Sequence, residues 1–478
     1  AGDPMSVSRK EFLQMGAAAA ASLALPRVAR AQSVDVVVIG AGLAGLTAAR
    51  TLVERGVDSV VVLEARGRVG GRTVNLDLPG GHIVEGGGEW IGPGQDDIAA
   101  LAAELGVGTF PSWYAGDTTY DIGGVVSTGF LPDLHPKEGA DFLRLAARLD
   151  RMAKALPITP WTAPQAAELD ARTLGGWLME HSASGFTHDV FRLITRAIVA
   201  GYPERISLLW FLWYLRSAGG LLPLILNDGG AQDLRFHGGS QRISTLMAEQ
   251  LGERVRLGAP VREVVDRPGE PVLVTTRDAE FRCGRVVVAM MPADATRIRF
   301  SPALPASREA LNAGWARLTR LPIVKLSVAY ATPFWRPRLN GAMQSDRAPL
   351  QLVFDNSPED GSIGVLSCFM SVAEAPAFAA RADRERLVVE ELARYFGPSA
   401  REVVAYVEKD WATDPWSTGC ITPLGPGLLS RHGRALREPT GRVHWAGTET
   451  AERWCGFMDG AVGSGRRVAA EVQAALKG

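Results

Sequence analysis

The sequence predicts an α/β fold joined to a discontinuous α+β region, on three observations. Near the start, an apolar run, a glycine turn, a helical stretch and a second apolar run follow in the order of a βαβ unit. Apolar residues at helical spacing fill residues 140–250, and strand-like runs stand on either side of them. At 478 residues the chain also exceeds what one core usually organises, so at least two domains are expected.

Taken in order, Val34–Ile39 is apolar almost throughout and ends at Gly40, the pattern of a strand buried on both faces. Leu43–Arg55 has helical periodicity, Ser59–Leu63 is a second buried strand, and Asp97–Leu105 reads as a helix. The helical middle carries a bulky apolar block, Leu208-Leu209-Trp210-Phe211-Leu212-Trp213-Tyr214. Val255–Val265, Pro271–Thr276 and Arg285–Met290 return to strand character, and Val324–Tyr330 and Ile363–Met370 look like strands of another sheet. The last helix runs from about Gly460 to Leu476. One domain is therefore expected from residues 33–112, 235–298 and 413–478, and the other from 113–234 and 299–412.

Charge excludes some partners. Lys+Arg (51) and Asp+Glu (52) nearly cancel, with no long run of one sign, so nucleic acid is not expected. The four cysteines, Cys283, Cys368, Cys420 and Cys455, form no CxxC pair, which speaks against a disulfide scaffold or a zinc site. Seven histidines without HExxH say the same of metal.

Residues 1–31 are set aside from the fold. Ala1-Gly2-Asp3-Pro4 ahead of Met5 reads as a cloning remnant. Ser8-Arg9-Lys10-Glu11-Phe12-Leu13-Gln14, the apolar stretch Met15–Leu25 and Ala29-Arg30-Ala31 have the layout of a secretory signal. The segment is similar to a twin-arginine signal, with Lys10 where the second arginine usually stands. Export to the periplasm as a folded protein is the expectation; an amphipathic helix on a cytoplasmic protein is the other reading. No other stretch reaches the roughly 18 apolar residues of a membrane span.

Gly40-Ala41-Gly42-Leu43-Ala44-Gly45 is a G-x-G-x-x-G between a strand and a helix. Gly40 permits the tight turn, Gly42 lets the backbone approach a pyrophosphate, and Gly45 lets the helix pack on the sheet. The helix start offers free N–H groups and partial positive charge to phosphates. Glu64 closes the second strand about 20 residues on, where a carboxylate accepts from ribose hydroxyls. A dinucleotide is the expected ligand, and a carboxylate there disfavours a 2′-phosphate.

Three further segments carry a family resemblance. Glu64-Ala65-Arg66-Gly67-Arg68-Val69-Gly70-Gly71-Arg72-Thr73 follows the ribose-binding acid directly. Glu85-Gly86-Gly87-Gly88-Glu89-Trp90-Ile91-Gly92-Pro93 comes next. Trp445-Ala446-Gly447-Thr448-Glu449-Thr450 with Trp454-Cys455-Gly456-Phe457-Met458-Asp459-Gly460-Ala461 closes the chain. Together they resemble the flavin amine oxidases over nearly all of residues 33–478, and the monoamine oxidase group most in residues 87–95, 209–214 and 416–420.

The resemblance implies a Rossmann-like (GR2-type) FAD-binding domain with a substrate domain of mixed sheet and helices. It assigns cofactor contact to Gly40, Gly42, Gly45, Glu64, Ala65, Arg66, Gly71, Arg72, Gly87, Gly88, Glu89, Trp90, Trp411, Gly447, Glu449, Gly456, Phe457 and Met458. Arg72 is expected to neutralise the pyrophosphate. The segment Arg235-Phe236-His237-Gly238-Gly239-Ser240 with Pro260-Val261 matches a third contact, with the Val261 backbone against adenine.

Lys325 falls on the lysine that in the family holds a water near flavin N5; among apolar Ile323, Val324, Leu326 and Val328 it needs a partner to be buried. Cys420 matches the cysteine that some members link to the flavin by a thioether, although Ile421 replaces a tyrosine and the following loop is one residue shorter. Covalent and non-covalent FAD both stay open. Phe457 occupies one wall of the family's aromatic cage, Ile421 makes the other aliphatic, and Trp454 and Trp416 lie near enough in sequence to compensate.

The implied reaction is oxidation of an amine to an imine by hydride transfer to flavin N5, then hydrolysis, with O2 reoxidising the cofactor to give H2O2. Apolar residues 208–214 and 221–226 suggest a hydrophobic substrate cavity. The alternatives are an L-amino-acid oxidase, with Arg196, Arg216 or Arg338 clamping the carboxylate, and a dehydrogenase passing electrons to a protein acceptor. A flavin-binding protein without catalysis is the third, and a homodimer is left open.

Overall fold

The strand Gln32–Ile39 is the spine of the larger sheet, and its second half, Val36–Ile39, is buried on both faces, as an unbroken Val/Ile run requires. It pairs in parallel with Val60–Leu63 on one side and Glu280–Val288 on the other. Val255–Arg256 and Val443–Trp445 extend this parallel core. Val272–Thr275 and Glu263–Val265 add antiparallel strands, and Arg299–Ser301 pairs in parallel with the last of these, completing eight strands. Arg299–Ser301 thus belongs to this sheet, just past the boundary expected at residue 298. The computed structural model describes residues 31–129, 136–318, 323–336, 338–347, 349–370, 375–411, 413–417, 419 and 423–477. The expected signal before Ala31, Cys420 and Ile421 lie outside the described residues.

The stretch Val255–Val265, read as one strand, is two short ones. Gly258, at a positive φ of 64°, and Pro260 interrupt it, since proline has no N–H for a ladder. The interruption places the site. Gly258 N–H donates to Arg66 O (2.9 Å) and Ala259 N–H to Glu64 O (2.8 Å), which sets Val261 beside the end of the second strand.

Two helices cover one face of this sheet. The helix Leu43–Glu54 leaves the glycine turn and buries Leu43, Leu46, Ala48, Ala49 and Leu52. The final helix, Met458–Lys477, starts two residues earlier than expected and crosses the first one. At the crossing a Cβ on Gly465 would stand 2.5 Å from Ala44 O, so the backbones touch and only glycine fits.

A second sheet of seven strands runs Val403–Asp410, Val324–Tyr330, Gly364–Met370, Leu350–Asp355, Leu339–Ser345, Asp117–Ile122 and Val125–Gly129. It is antiparallel except where Leu339–Ser345 pairs with Asp117–Ile122. A helical layer completes the molecule around Leu208–Ser217, whose residues Leu208–Leu215 are all buried. The apolar block is therefore a helix enclosed on every side. Ser207 caps it, its Oγ accepting from Trp210 N–H at 3.2 Å. No helix among the described residues is long and apolar enough to cross a membrane.

Gly465→Leu is expected to lower folding stability by about 3 kcal/mol, the upper range for overpacking a tight contact. Denaturant unfolding measures it; an unchanged midpoint would mean that the two helices do not meet as closely as described.

Candidate active site

A cavity of about 350 Å³ opens at the ends of Ile39 and Leu63 and runs across to Lys325 and Phe369 of the second sheet and Ile198 and Leu224 of the helical layer. Its first end is a cradle of backbone. Gly42 precedes the helix Leu43–Glu54, offers no side-chain cap, and is followed by no acid in the first turn. The first N–H groups and their partial positive charge remain for a ligand. A Cβ on Gly42 would make only ordinary contact with the protein, 3.9 Å from Gly71 Cα and 4.0 Å from Gly70 O, so it would fit there without a clash. Gly71, at φ 58°, faces it. Gly45 lies beneath the turn and not on the cavity wall: its Cβ would fall 1.9 Å from Gly40 O. Its role is packing, the part the motif reading gave it, and not cofactor contact.

Glu64 is 3 % exposed and lines the cavity. Its carboxylate accepts from Ala41 N–H (2.8 Å) and Arg66 N–H (2.9 Å), which fix it at the strand end. Ala65, Arg66 and Val261 line the same end. Arg66 pairs with Asp414 (2.8 Å), which also holds Lys409 (2.9 Å). Burial pushes the Asp414 carboxyl up, but Lys409, the Trp416 N–H and Arg66 outweigh it and hold it down to about 2.

Arg72 lines the cavity with a partner that sequence reading missed. Its guanidinium forks onto Glu449, at 2.6 and 3.2 Å. Glu449, expected at the cofactor, is turned to Arg72 and stands behind the cavity wall. Gly447 and Gly456, both at positive φ, do line it, as do Phe457 and Met458 at the start of the final helix. The first-turn acid of that helix, Asp459, is turned away to Ile98 N–H (3.0 Å), and burial pushes it up to about 6.

Gly87 and Gly88 form the middle of the wall. A Cβ on Gly87 would meet Arg72 O at 2.1 Å, so glycine is required there. Trp411, also on the wall, donates its indole N–H to Gly86 O at 2.8 Å and pins this turn.

At the far end Lys325 is 2 % exposed, and its partner is Glu89. The ammonium donates to Glu89 Oε2 (2.8 Å) and Gly87 O (3.0 Å), and sits 5.3 Å from the rings of both Trp90 and Phe369. Burial pushes the Glu89 carboxyl up, and the opposing pull of Lys325 only partly offsets it. Glu89 lines the cavity, as expected of a residue at the cofactor, and it is also the counter-ion of the lysine.

Phe457 lines this end, stacked 6.1 Å from Tyr214 and edge-on to Trp454 at 5.0 Å. Trp454 is buried behind Phe457, with its indole N–H on Gly94 O (2.7 Å), and forms no part of the wall. It supports the ring and does not replace the missing aromatic. Trp416, Ser417 and Gly419 do line the cavity, beside Cys420 and Ile421, which lie outside the described residues. Gln232 was not foreseen: it lines the cavity, and its side-chain oxygen is buried with no hydrogen-bond partner among the described residues. An amide next to the Arg235 segment carried no sequence signal by itself. Arg196, Arg216 and Arg338, the candidates for a carboxylate clamp, do not line the cavity.

Bare helix N–H groups over two facing glycines, a buried carboxylate at a strand end and a long continuous cavity suit a dinucleotide with a second ring system, and FAD fits these residues. The family profile described as flavin containing amine oxidoreductase matches residues 43–473. A Mycobacterium tuberculosis protein described as a flavin-containing monoamine oxidase is 39% identical over 451 residues, covering 93% of this chain and 97% of that one. Among solved structures, putrescine oxidase bound to putrescine aligns with a TM-score of 0.86 and 31% identity, over 93% of this chain and 100% of that one. Cyclohexylamine oxidase from Brevibacterium oxydans aligns with a TM-score of 0.86 and 32% identity, over the same shares.

Gly42→Val is expected to leave the apoprotein folded, because a Cβ there meets the protein only at ordinary contact distance, yet to fill the space a pyrophosphate needs. Circular dichroism should match the parent while bound FAD falls from one per chain to near none. A variant that still purifies yellow would overturn the cradle assignment.

Proposed function

The chain belongs to the flavin containing amine oxidoreductase family and is an FAD-dependent enzyme that oxidises amines, and from that premise we propose that it acts on apolar monoamines with O2 as the oxidant. One observation carries this reading. The amine end of the cavity is walled by Ala197, Ile198, Leu224, Ala231, Phe369 and Phe457, and among the described residues its single cation, Lys325, is already paired with Glu89. Among the described residues there, a substrate carboxylate would find no unpaired cation and a second ammonium no unpaired carboxylate. Both amino acids and diamines are therefore disfavoured, although putrescine is the ligand named for one structural neighbour.

FAD, when bound, supplies the redox chemistry by accepting a hydride equivalent from the carbon bearing the nitrogen. The protein binds and orients. Gln232 offers an amide oxygen to an amine N–H, and the faces of Phe457 and Phe369 confine the apolar body. Lys325 has three N–H groups, of which Glu89 and Gly87 take two, leaving one to hold a water at the wall. The N-terminus of the helix Met458–Lys477 brings partial positive charge to the cavity beside Met458 and Ala461. The apolar walls exclude bulk water from the reacting carbon. The imine product hydrolyses in water to an aldehyde or ketone.

Two finer points belong to the same proposal. Ser417 and Gly419 line the cavity next to Cys420, which supports a thioether from Cys420 to FAD. If the bond exists, acid-denatured protein keeps its colour and Cys420→Ala releases it; free flavin from the parent protein returns Cys420 to a packing role. The segment Ser8–Ala31 supports export of the folded, FAD-loaded protein, and cell fractionation with and without that segment tests it.

2-Phenylethylamine should show kcat/KM on the order of 100-fold above phenylalanine, the same body with a carboxylate added, since burying an unpaired charge costs several kcal/mol. Putrescine should be similarly poor. Steady-state peroxide assays measure all three, and a preference for phenylalanine or putrescine would reverse the assignment.

A further inference from the structure

Lys325 is held by more than its nearest neighbour. Glu89 also accepts from Asn356 Nδ2 (2.9 Å), and the same nitrogen stands 3.4 Å from Glu85 Oε2 and 3.0 Å from Ser367 Oγ. Glu85 in turn receives Arg235 Nη2 at 3.0 Å, and Arg235 Nη1 donates to Ser357 O at 2.8 Å. The side chains of Lys325, Glu89, Arg235 and Glu85 are at most 4% exposed. Two cations and two carboxylates thus form one buried, neutral chain with Asn356 as its bridge.

The chain spans separate parts of the fold. Glu85 and Glu89 flank the glycine turn on the cavity wall, Arg235 lies on the strand Leu234–Phe236, and Lys325 and Ser367 lie on neighbouring strands of the second sheet. Gly87 O and Glu89 come from that one turn, so the turn itself fixes the ammonium at two points. A glutamine at 89 would keep an acceptor for the lysine but leave a buried charge without its opposite, and an apolar residue would remove the acceptor as well, leaving Gly87 O.

We propose that Glu89 is a positioning residue for Lys325, kept in that role by Asn356, Glu85 and Arg235, so that this network sets the direction and charge balance of the Lys325 ammonium on the cavity wall. The inference rests on the reading that Lys325 serves the redox cycle. The charged and titratable groups that face Glu89 are Lys325, Glu85, Arg235 and Tyr114. Burial pushes Glu89 up and Lys325 opposes it, which makes the carboxylate the member of the network whose charge pH can remove.

The test uses the FAD-loaded protein reduced with dithionite and mixed with oxygenated buffer, so that no substrate need be known. Glu89→Gln should keep one FAD per chain and slow flavin reoxidation about tenfold, the effect of about 1.4 kcal/mol on the barrier. The visible flavin spectrum of the parent should titrate with pH, and that titration should vanish in Glu89→Gln, a change that a merely structural role would not produce. Lys325→Met should slow reoxidation as well, and Glu89→Gln added to Lys325→Met should slow it no further. This double variant buries no unpaired charge, so it keeps the test open if a single variant folds poorly. Parent-like reoxidation and pH titration in Glu89→Gln, or effects that multiply in the double variant, would overturn the positioning role. Unchanged reoxidation in Lys325→Met alone would instead sink the reading of Lys325 on which the inference rests.

Discussion

The fork between Arg72 and Glu449 is the contact on which the site depends, because it joins stretches 377 residues apart. Arg72 works through its backbone as well: its carbonyl accepts from Gly88 N–H at 3.1 Å. One residue therefore ties together the loop after the second strand, the glycine turn on the cavity wall and the segment leading to the final helix. Glu449 is nearly buried, with a side chain 6% exposed. Removing Arg72 would leave that carboxylate without its cation, a loss that commonly costs several kcal/mol. The parallel strands explain why the stretches meet at all. Gln32–Ile39, Val60–Leu63, Glu280–Val288 and Val443–Trp445 run in one direction, so the loops leaving their C-terminal ends converge on one edge.

Charge at the cavity is present in quantity yet satisfied in pairs. Arg66 with Asp414, Arg72 with Glu449 and Lys325 with Glu89 each set a cation against a carboxylate. With Asp414 held down to about 2, its carboxylate stays ionised at any ordinary pH. Attraction for an anionic ligand is then left to the N–H groups of the helix that starts after Gly42. The opposite end offers apolar surface, aromatic faces and one amide. A dinucleotide at one end and a neutral amine at the other is the division this distribution favours.

Much of this was legible in the chain, for reasons that are local. The Val/Ile run, the G-x-G-x-x-G and Glu64 obey spacing rules set by one turn and one helix, so Gly40, Gly42 and Glu64 could be placed before any contact was known. The same holds for the helices, whose periodicity is internal to each segment. The break at Gly258–Pro260 was written in the sequence as well, but its use, binding the carbonyls of Glu64 and Arg66, depends on a strand far away.

Tertiary structure alone decided the pairings. Nothing in the string Gly87-Gly88-Glu89-Trp90 says that its carboxylate neutralises a lysine 236 residues on, or that Asn356 bridges it to Glu85. Trp454 and Phe457 stand three residues apart, yet the positive φ of Trp454 sends its ring behind Phe457 and not onto the wall. Sequence by itself determined the elements and the cofactor cradle, where the physics acts between near neighbours. Which charges meet, which rings face the cavity and which amide is left without a partner depend on distances between separate elements, and only the folded chain sets those.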